Sequence, residues 1–444
     1  MTNSFDEPDV SESSDACPSA STESREVIGV PVRPTAYHRQ LLDYLKTQEA
    51  ELWKWFSSHQ ARQQSVEAVK LELLKTAYRL DRESASELYE QADAVRQRMH
   101  MAAEVTLYQA QHASGLNASL AWLPGEAHIV LHGPVQETLS GTELSALLAH
   151  EMAHHELYSL DDGAYLVMEQ ILSAMIADQA ADAPHDRTWR SHRLYTELHC
   201  DRRAAAVTED MHAVVRTLVK METGLKAVNA EAYLKQAAEV LAGGISGSEG
   251  ITHPEMYIRA RALQLWQGAP ENPDGVDERL RILIEGPLEM QQLDLLQQSR
   301  MVELTRDVLT EYLSPTWLQT DLVLGHAKRF FEDFRIPKRK PKHDAVDSAD
   351  ADTSVTPTND LNDRIGQCDD SLKKYLCFLL LDFVTCDPDL EEAPLAAAFE
   401  FADRVSLISD FRDLAAQELK LGKRALQKVE VDALNIVKTA ASAT

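Results

Sequence analysis

Residues 141–157 read GTELSALLAHEMAHHEL. Leu144, Leu147 and Leu148 recur at helical spacing, which predicts a helix from about Glu143 with Thr142 as its N-cap. His150 and His154 stand four residues apart, so both imidazoles lie on one face and can reach one metal ion. Glu151 lies beside them, where it can take a proton from water that zinc has acidified toward ~7. A solvated helix could carry the same polar residues. The apolar flanks instead predict a buried helix, and buried His and Glu need partners that a metal can supply.

A further ligand must come from elsewhere. The segment YTELHCD, residues 195–201, offers Glu197 and Asp201 on one face of a second helix. One carboxylate can bind the metal while the other orients a ligand. Glu-x-x-x-Asp is common on solvated faces and gains its weight here from the helical context. Two His and one carboxylate leave a fourth zinc position open, as hydrolysis requires.

Together with Thr252-His253-Pro254, Arg259, the stretch Asn117 to Gly125 and HIVL at 128–131, these motifs span about residues 85–265. In that order they resemble the gluzincin peptidases of family M-48, the HtpX-like and CAAX-prenyl-protease-like group. The resemblance implies a zincin-like α+β domain holding one zinc per chain. It implies Glu197 as third ligand, Asp201 as its support and His253 as a stabiliser of the oxyanion. Arg259 would pair with a helix carboxylate. An edge strand near 127–131 would bind substrate backbone by strand addition. Glu151 would deprotonate the water and then protonate the leaving amine. Two features depart from the family: no transmembrane helix is visible, and Glu126 follows Gly125 where relatives often have a small residue. A soluble member is expected, which argues against prenylated or membrane-embedded substrates.

The chain has 444 residues, enough for two or three units. The reading divides it into a disordered acidic arm (1–33), N-terminal helices (34–100), a metallopeptidase domain (101–268), a helical extension (269–336), a flexible linker (337–364) and a separate C-terminal helical unit (365–444). Helices are expected around Leu41–Leu45, from Val69 to Tyr78 and from Leu88 to Met99. Others are expected at about 163–181, 188–206 and 210–227, and from His253 onward. Strands are expected at Val105–Tyr108 and Ala127–Leu131. The fold class is α+β, mainly helical.

Forty-four Lys and Arg against 71 Asp and Glu give a net charge of −27. Residues 1–30 carry −6 of it and residues 344–370 carry −7, so much of the acidity sits in polar tails. Such a chain repels phosphate backbones, which argues against nucleic-acid binding. The most apolar run, Tyr165 to Ala177, is interrupted by Glu169, so no membrane span is expected. Five cysteines without a C-x-x-C pair, and no secretory signal, point to a reducing, cytoplasmic setting.

Other residues invite plainer readings. His155 is turned about 100° from His154. His199 faces away from Glu197, and Cys200 reads as a buried inert thiol. Cys368, Cys377 and Cys386 read as helix-core residues. His128 and His132 read as strand surface or cleft lining. Lys338, Arg339, Lys340 and Lys342 read as a solvated linker.

The leading function is a zinc metallo-endopeptidase acting on peptides or unfolded segments. The alternatives are a zinc-binding pseudopeptidase serving as a binding module, and a scaffold whose C-terminal helices hold a protein partner. A latent enzyme, with those helices over the cleft, is a further possibility.

Overall fold

The computed structural model describes residues 32–58, 66–111, 115–177, 182–244, 247–269, 272–337, 357–420 and 423–442. Most of the expected acidic arm, with Cys17, lies outside them, as does the basic cluster at 338–342.

In the N-terminal part, helices α1 (Ala36–Gln48), α2 (Ala50–Phe56) and α3 (Val66–Thr76) lead into strand β1 (Ala77–Arg79). The third expected helix follows as α4 (Ser86–Arg98). Tyr78, assigned by spacing to a helix, belongs instead to β1, because α3 stops at Thr76 and the chain pairs antiparallel with the next strand. That strand is β2 (Glu104–Ala110), followed by β3 (Asn117–Leu123) and β4 (Glu126–His132). The sheet order is β1-β2-β4-β3, with β2 and β4 parallel and β3 antiparallel to β4. Gly125 joins β3 to β4 at φ +75°, a left-handed conformation suited to a two-residue hairpin turn.

This topology corrects the expected edge strand. HIVL lies in β4, which is paired on both sides and buried on both faces. Ala127, Ile129 and Leu131 pack toward the helices, and Val130 packs under α3 with Leu73 and Tyr108. A continuous apolar run is what such an interior strand needs. The edge is β3.

After the one-turn helix α5 (Val135–Thr138) comes α6 (Gly141–Ser159), the motif helix. Its cap is Ser140 and not Thr142: the Ser140 side chain accepts from the third helical N–H, and Glu143 accepts the Ser140 N–H at 2.8 Å. This reciprocal box satisfies two N–H groups that the helix start would otherwise leave open. The helices α7 (Ala164–Ala177), α8 (Ala183–Thr208), α9 (Met211–Thr223), α10 (Ala230–Ala242) and α11 (Met256–Gly268) complete this region. Leu148, Ala149, Met152 and Ala153 of α6 are buried with β4, α4, α8 and α9 in one core. A second core joins α1, α7, α8 and α11, and includes Tyr165, Met168 and Ile171 of the apolar run considered above. No described helix is long and apolar enough to cross a membrane.

The rest is helical: α12 (Pro273–Glu285), α13 (Leu295–Tyr312), α14 (Asp321–Phe330), α15 (Pro357–Gly366), α16 (Asp370–Val384), α17 (Ala393–Arg404), α18 (Ile408–Glu418) and α19 (Lys423–Ser442). Two expectations change here. Residues 357–364, read as the end of the linker, are helical. Leu304, Val308 and Tyr312 of the extension share one core with Leu361, Leu372, Phe383 and Phe401. The C-terminal helices are therefore not packed apart from residues 304–334. Linker composition marks where chain is solvated, and says nothing of which apolar faces meet across it.

Candidate metal centre

Helices α6 and α8 run antiparallel, and their register assembles the centre. His150 Nδ1 lies 3.0 Å from Asp201 Oδ1. One turn on, His154 Nε2 lies 3.5 Å from Glu197 Oε1. Ion pairs hold α6 in this register: Arg203 donates twice to Glu156, at 2.8 and 2.9 Å, and buried Lys220 of α9 donates to Glu143 at 2.8 Å.

Asp201 has a second role. Arg259 of α11 donates to both of its oxygens at 2.7 Å, and its Nη2 also lies 3.3 Å from Glu197 Oε2. Burial works against the charged form of Asp201, but Arg259 and His150 outweigh it and hold the carboxyl below its ordinary range. An ionised Asp201 accepts the proton of His150 Nδ1, which leaves Nε2 to face Glu197 and to offer a lone pair when a metal ion replaces its proton. That Nε2 lies 3.3 Å from Glu197 Oε2.

Glu197 Oε2 is buried and makes no hydrogen bond. Beside it stand the Nε2 atoms of His150, at 3.3 Å, and His253, at 3.5 Å, while His154 Nε2 faces the other oxygen, Oε1. A buried carboxylate oxygen with no hydrogen bond, approached by Arg259 only at 3.3 Å, is costly, and a cation among these atoms would satisfy it. Two imidazole nitrogens and one carboxylate oxygen suit zinc and related divalent ions. The residues fit a metal. In the metal-free chain a proton stands in for that cation. Burial opposes the charge on His150, yet Asp201 and Glu197 raise it to about 10, while burial pushes His154 down to about 4.

Glu151 is buried and lines the same cleft. Burial, reinforced by the charge of Glu197, pushes its carboxyl up to about 7. The His253 side chain is 47% exposed and also lines the cleft. The structure thus brings together all seven residues singled out by sequence: His150, His154, Glu197, Glu151 and His253, with Asp201 and Arg259 behind them.

The cleft measures about 1200 Å³. One wall is the edge strand β3 with Gly115, Leu116 and His132; the other is apolar, with Leu147, Val214, Leu218, Met221 and Tyr233. Tyr158 and Arg193 also line it. Sequence reading passed over both, although their spacing was available: Tyr158 is four residues after His154, and Arg193 four before Glu197. No described residue beyond Arg259 contributes to the lining.

Three residues close to the ligands have other surroundings. The Cys200 sulfur lies within 4.8 Å of a ring nitrogen of each of His150 and His154, and these three residues themselves have metal-binding spacing. It is fully buried, and burial keeps the thiol protonated. His199 is buried with neither ring nitrogen bonded, and burial pushes it down to about 3. His155 stacks on Trp122 of β3, with ring centroids 5.7 Å apart, and so braces the strand against α6.

Fold and centre define a mainly helical α+β protein with a helix-borne metal-binding set. No protein-family model matches the chain. No solved structure matches it. Among curated proteins it is similar to the plastoglobule-localized metallopeptidase 48, chloroplastic, of Arabidopsis thaliana. The two are 29% identical over 162 residues, which is 32% of this chain and 46% of that protein. The chain thus spans about half the length of the curated relative it matches. The similarity supports a relationship with metallopeptidases.

Proposed function

We propose that the chain is a zinc-dependent metallo-endopeptidase of the gluzincin type, related to family M-48. It would hydrolyse peptides or unfolded protein segments in a cytoplasmic setting. The observation that carries this reading is Glu197, its Oε2 buried without a hydrogen bond, set against His150 through Oε2 and His154 through Oε1 in a cleft that also holds Glu151. The name of the Arabidopsis relative agrees with it.

His150, His154 and Glu197 would hold one metal ion. When bound, zinc supplies Lewis acidity, lowering the pKa of water toward about 7 and polarising a carbonyl. Glu151 takes the proton released from the attacking water and delivers it to the leaving amine. His253, half-exposed at the cleft rim, donates to the oxygen that gains charge. Asp201, locked by Arg259, keeps His150 in the tautomer that points Nε2 inward. The substrate backbone adds to the free edge of β3, whose other edge is already paired with β4.

The pseudopeptidase reading calls for Glu151 and His253 to turn away from any cleft, and both line it. The latency reading calls for C-terminal helices over the cleft, and no described residue of those helices lines it.

The test is cleavage of an unfolded protein by the zinc-loaded chain, with Glu151→Gln in parallel. Cleavage by the wild type alone, with one zinc in both, is expected. Equal cleavage by both proteins would sink the assignment of the base. No cleavage by either, with zinc in both, would favour the binding-module reading.

A further inference from the structure

Tyr158 and Arg193 take no part in the chemistry above. The register that sets His150 against Asp201 and His154 against Glu197 continues for one more turn. It brings Tyr158 of α6 opposite Arg193 of α8, on the face that opens to the cleft. The Tyr158 ring lies 6.3 Å from that of His154, so this pair stands directly beside the ligands.

Both side chains carry unused donors. The Tyr158 hydroxyl has no hydrogen-bond partner among the described residues. Arg193 rests over the Trp189 ring at 5.6 Å, which supports the guanidinium plane and leaves its N–H edges free. No carboxylate pairs with it among the described residues. In a chain with 71 acidic and 44 basic residues, that is a notable omission. The other cation of the cleft, Arg259, is committed to Asp201. The charge of Arg193 reaches both the Tyr158 hydroxyl and His253.

We propose that Arg193 and Tyr158 form a subsite for a substrate carboxylate, either a peptide C-terminus or an Asp or Glu side chain. A guanidinium fork matches both oxygens of a carboxylate, and a phenol adds a third donor. The subsite rests on the reading of the cleft as a peptide site, and it gives that site a preference: acidic or C-terminal segments of an unfolded chain are held beside the metal ligands.

The experiment measures binding apart from turnover. Zinc-loaded Glu151→Gln protein is titrated into fluorescent peptides by anisotropy. One peptide pair differs only by a free or amidated C-terminus; another differs only by an internal Glu or Gln. The carboxylate form is expected to bind about tenfold tighter in one of the pairs. The pair that responds identifies the source. Adding Arg193→Gln should bring that ratio to about one, Tyr158→Phe should reduce it, and Arg193→Lys should restore part of it. Thermal unfolding of each variant reports whether it is folded. A ratio near one in the parent protein, or a ratio that survives in a folded Arg193→Gln variant, overturns the subsite. A ratio that depends on Arg193 in a protein whose wild type cleaves nothing would keep the subsite and discard the peptidase.

Discussion

Arg259 grips Asp201 through two hydrogen bonds of 2.7 Å, and both side chains are buried. Asp201 in turn holds His150 Nδ1 at 3.0 Å. An Asn at 201 keeps the shape but loses the charge that fixes His150 Nδ1–H. Metal affinity of Asp201→Asn should fall by about 10–100-fold, as for other residues that orient a metal-binding His. Arg259→Ala should be worse, because it leaves Asp201 buried without its counter-ion. Its unfolding free energy should drop by about 3–5 kcal/mol. Zinc titration with a competing chelator and urea unfolding check the two claims. Wild-type zinc affinity in Asp201→Asn would show that His150 is oriented without it.

Metal removal offers a second check. Glu197 Oε2 makes no hydrogen bond, and in the metal-free fold its charge is offset only by the 3.3 Å approaches of Arg259 and His150. Zinc binding to the folded state alone stabilises it by about 2.7 kcal/mol at a free concentration 100 times the dissociation constant. Melting temperature should therefore rise with zinc and return on chelation. Glu197→Gln should lose most of the rise. A melting temperature that ignores zinc would refute the assigned ligand set.

How far the sequence revealed this centre depends on the range of the contact involved. His150, His154 and Glu151 were legible because a helix fixes their relative positions locally. Glu197 and Asp201 were legible as a pair, but their meeting with the motif helix depends on packing. Tyr158 and Arg193 repeat the four-residue spacing from His154 and Glu197, but only the antiparallel register of α6 and α8 sets them on the same cleft face. The run HIVL announced a strand, yet its partners on both sides come from β2 and β3, so alternation could not show that it is interior. Tyr78 fitted a helical face by spacing and was claimed by β2 through backbone pairing.

Shared packing makes a claim about truncation. Tyr312 donates to the Pro394 carbonyl at 3.0 Å, and the core around it draws on both sides of the linker. A chain ending at residue 336 would uncover Leu304, Val308, Leu309 and Tyr312. Each large apolar side chain so exposed forfeits about 1.5–3 kcal/mol. The 1–336 fragment should bind a hydrophobic dye strongly and melt well below the full chain. A soluble, cooperatively melting fragment would mean that residues 304–334 pack without the C-terminal helices.

Asp294 sets a pH dependence away from the cleft. It caps α13, accepting the Gln297 N–H at 2.7 Å, and it accepts the Tyr37 hydroxyl at 3.0 Å. Burial, with the charge of Glu285 adding to it, pushes its carboxyl up to about 6. An unfolded Asp titrates near ~3.9. The folded state therefore binds the extra proton between these values. Stability from this group is greatest below about pH 4, declines as pH rises toward 6, and is lower by a constant amount above it. Asn at this position keeps a cap acceptor, and its amide can donate to the Tyr37 oxygen. Tyr37 can in turn donate to the Thr188 carbonyl, 3.4 Å away. Asp294→Asn should thus match the wild type near pH 4 and exceed it by on the order of 3 kcal/mol at pH 7.5. Urea unfolding of both proteins across that range measures the difference. A difference that does not change with pH would show that the Asp294 charge is compensated within the fold, most directly by the Arg300 that pairs with Glu285 at 2.8 Å.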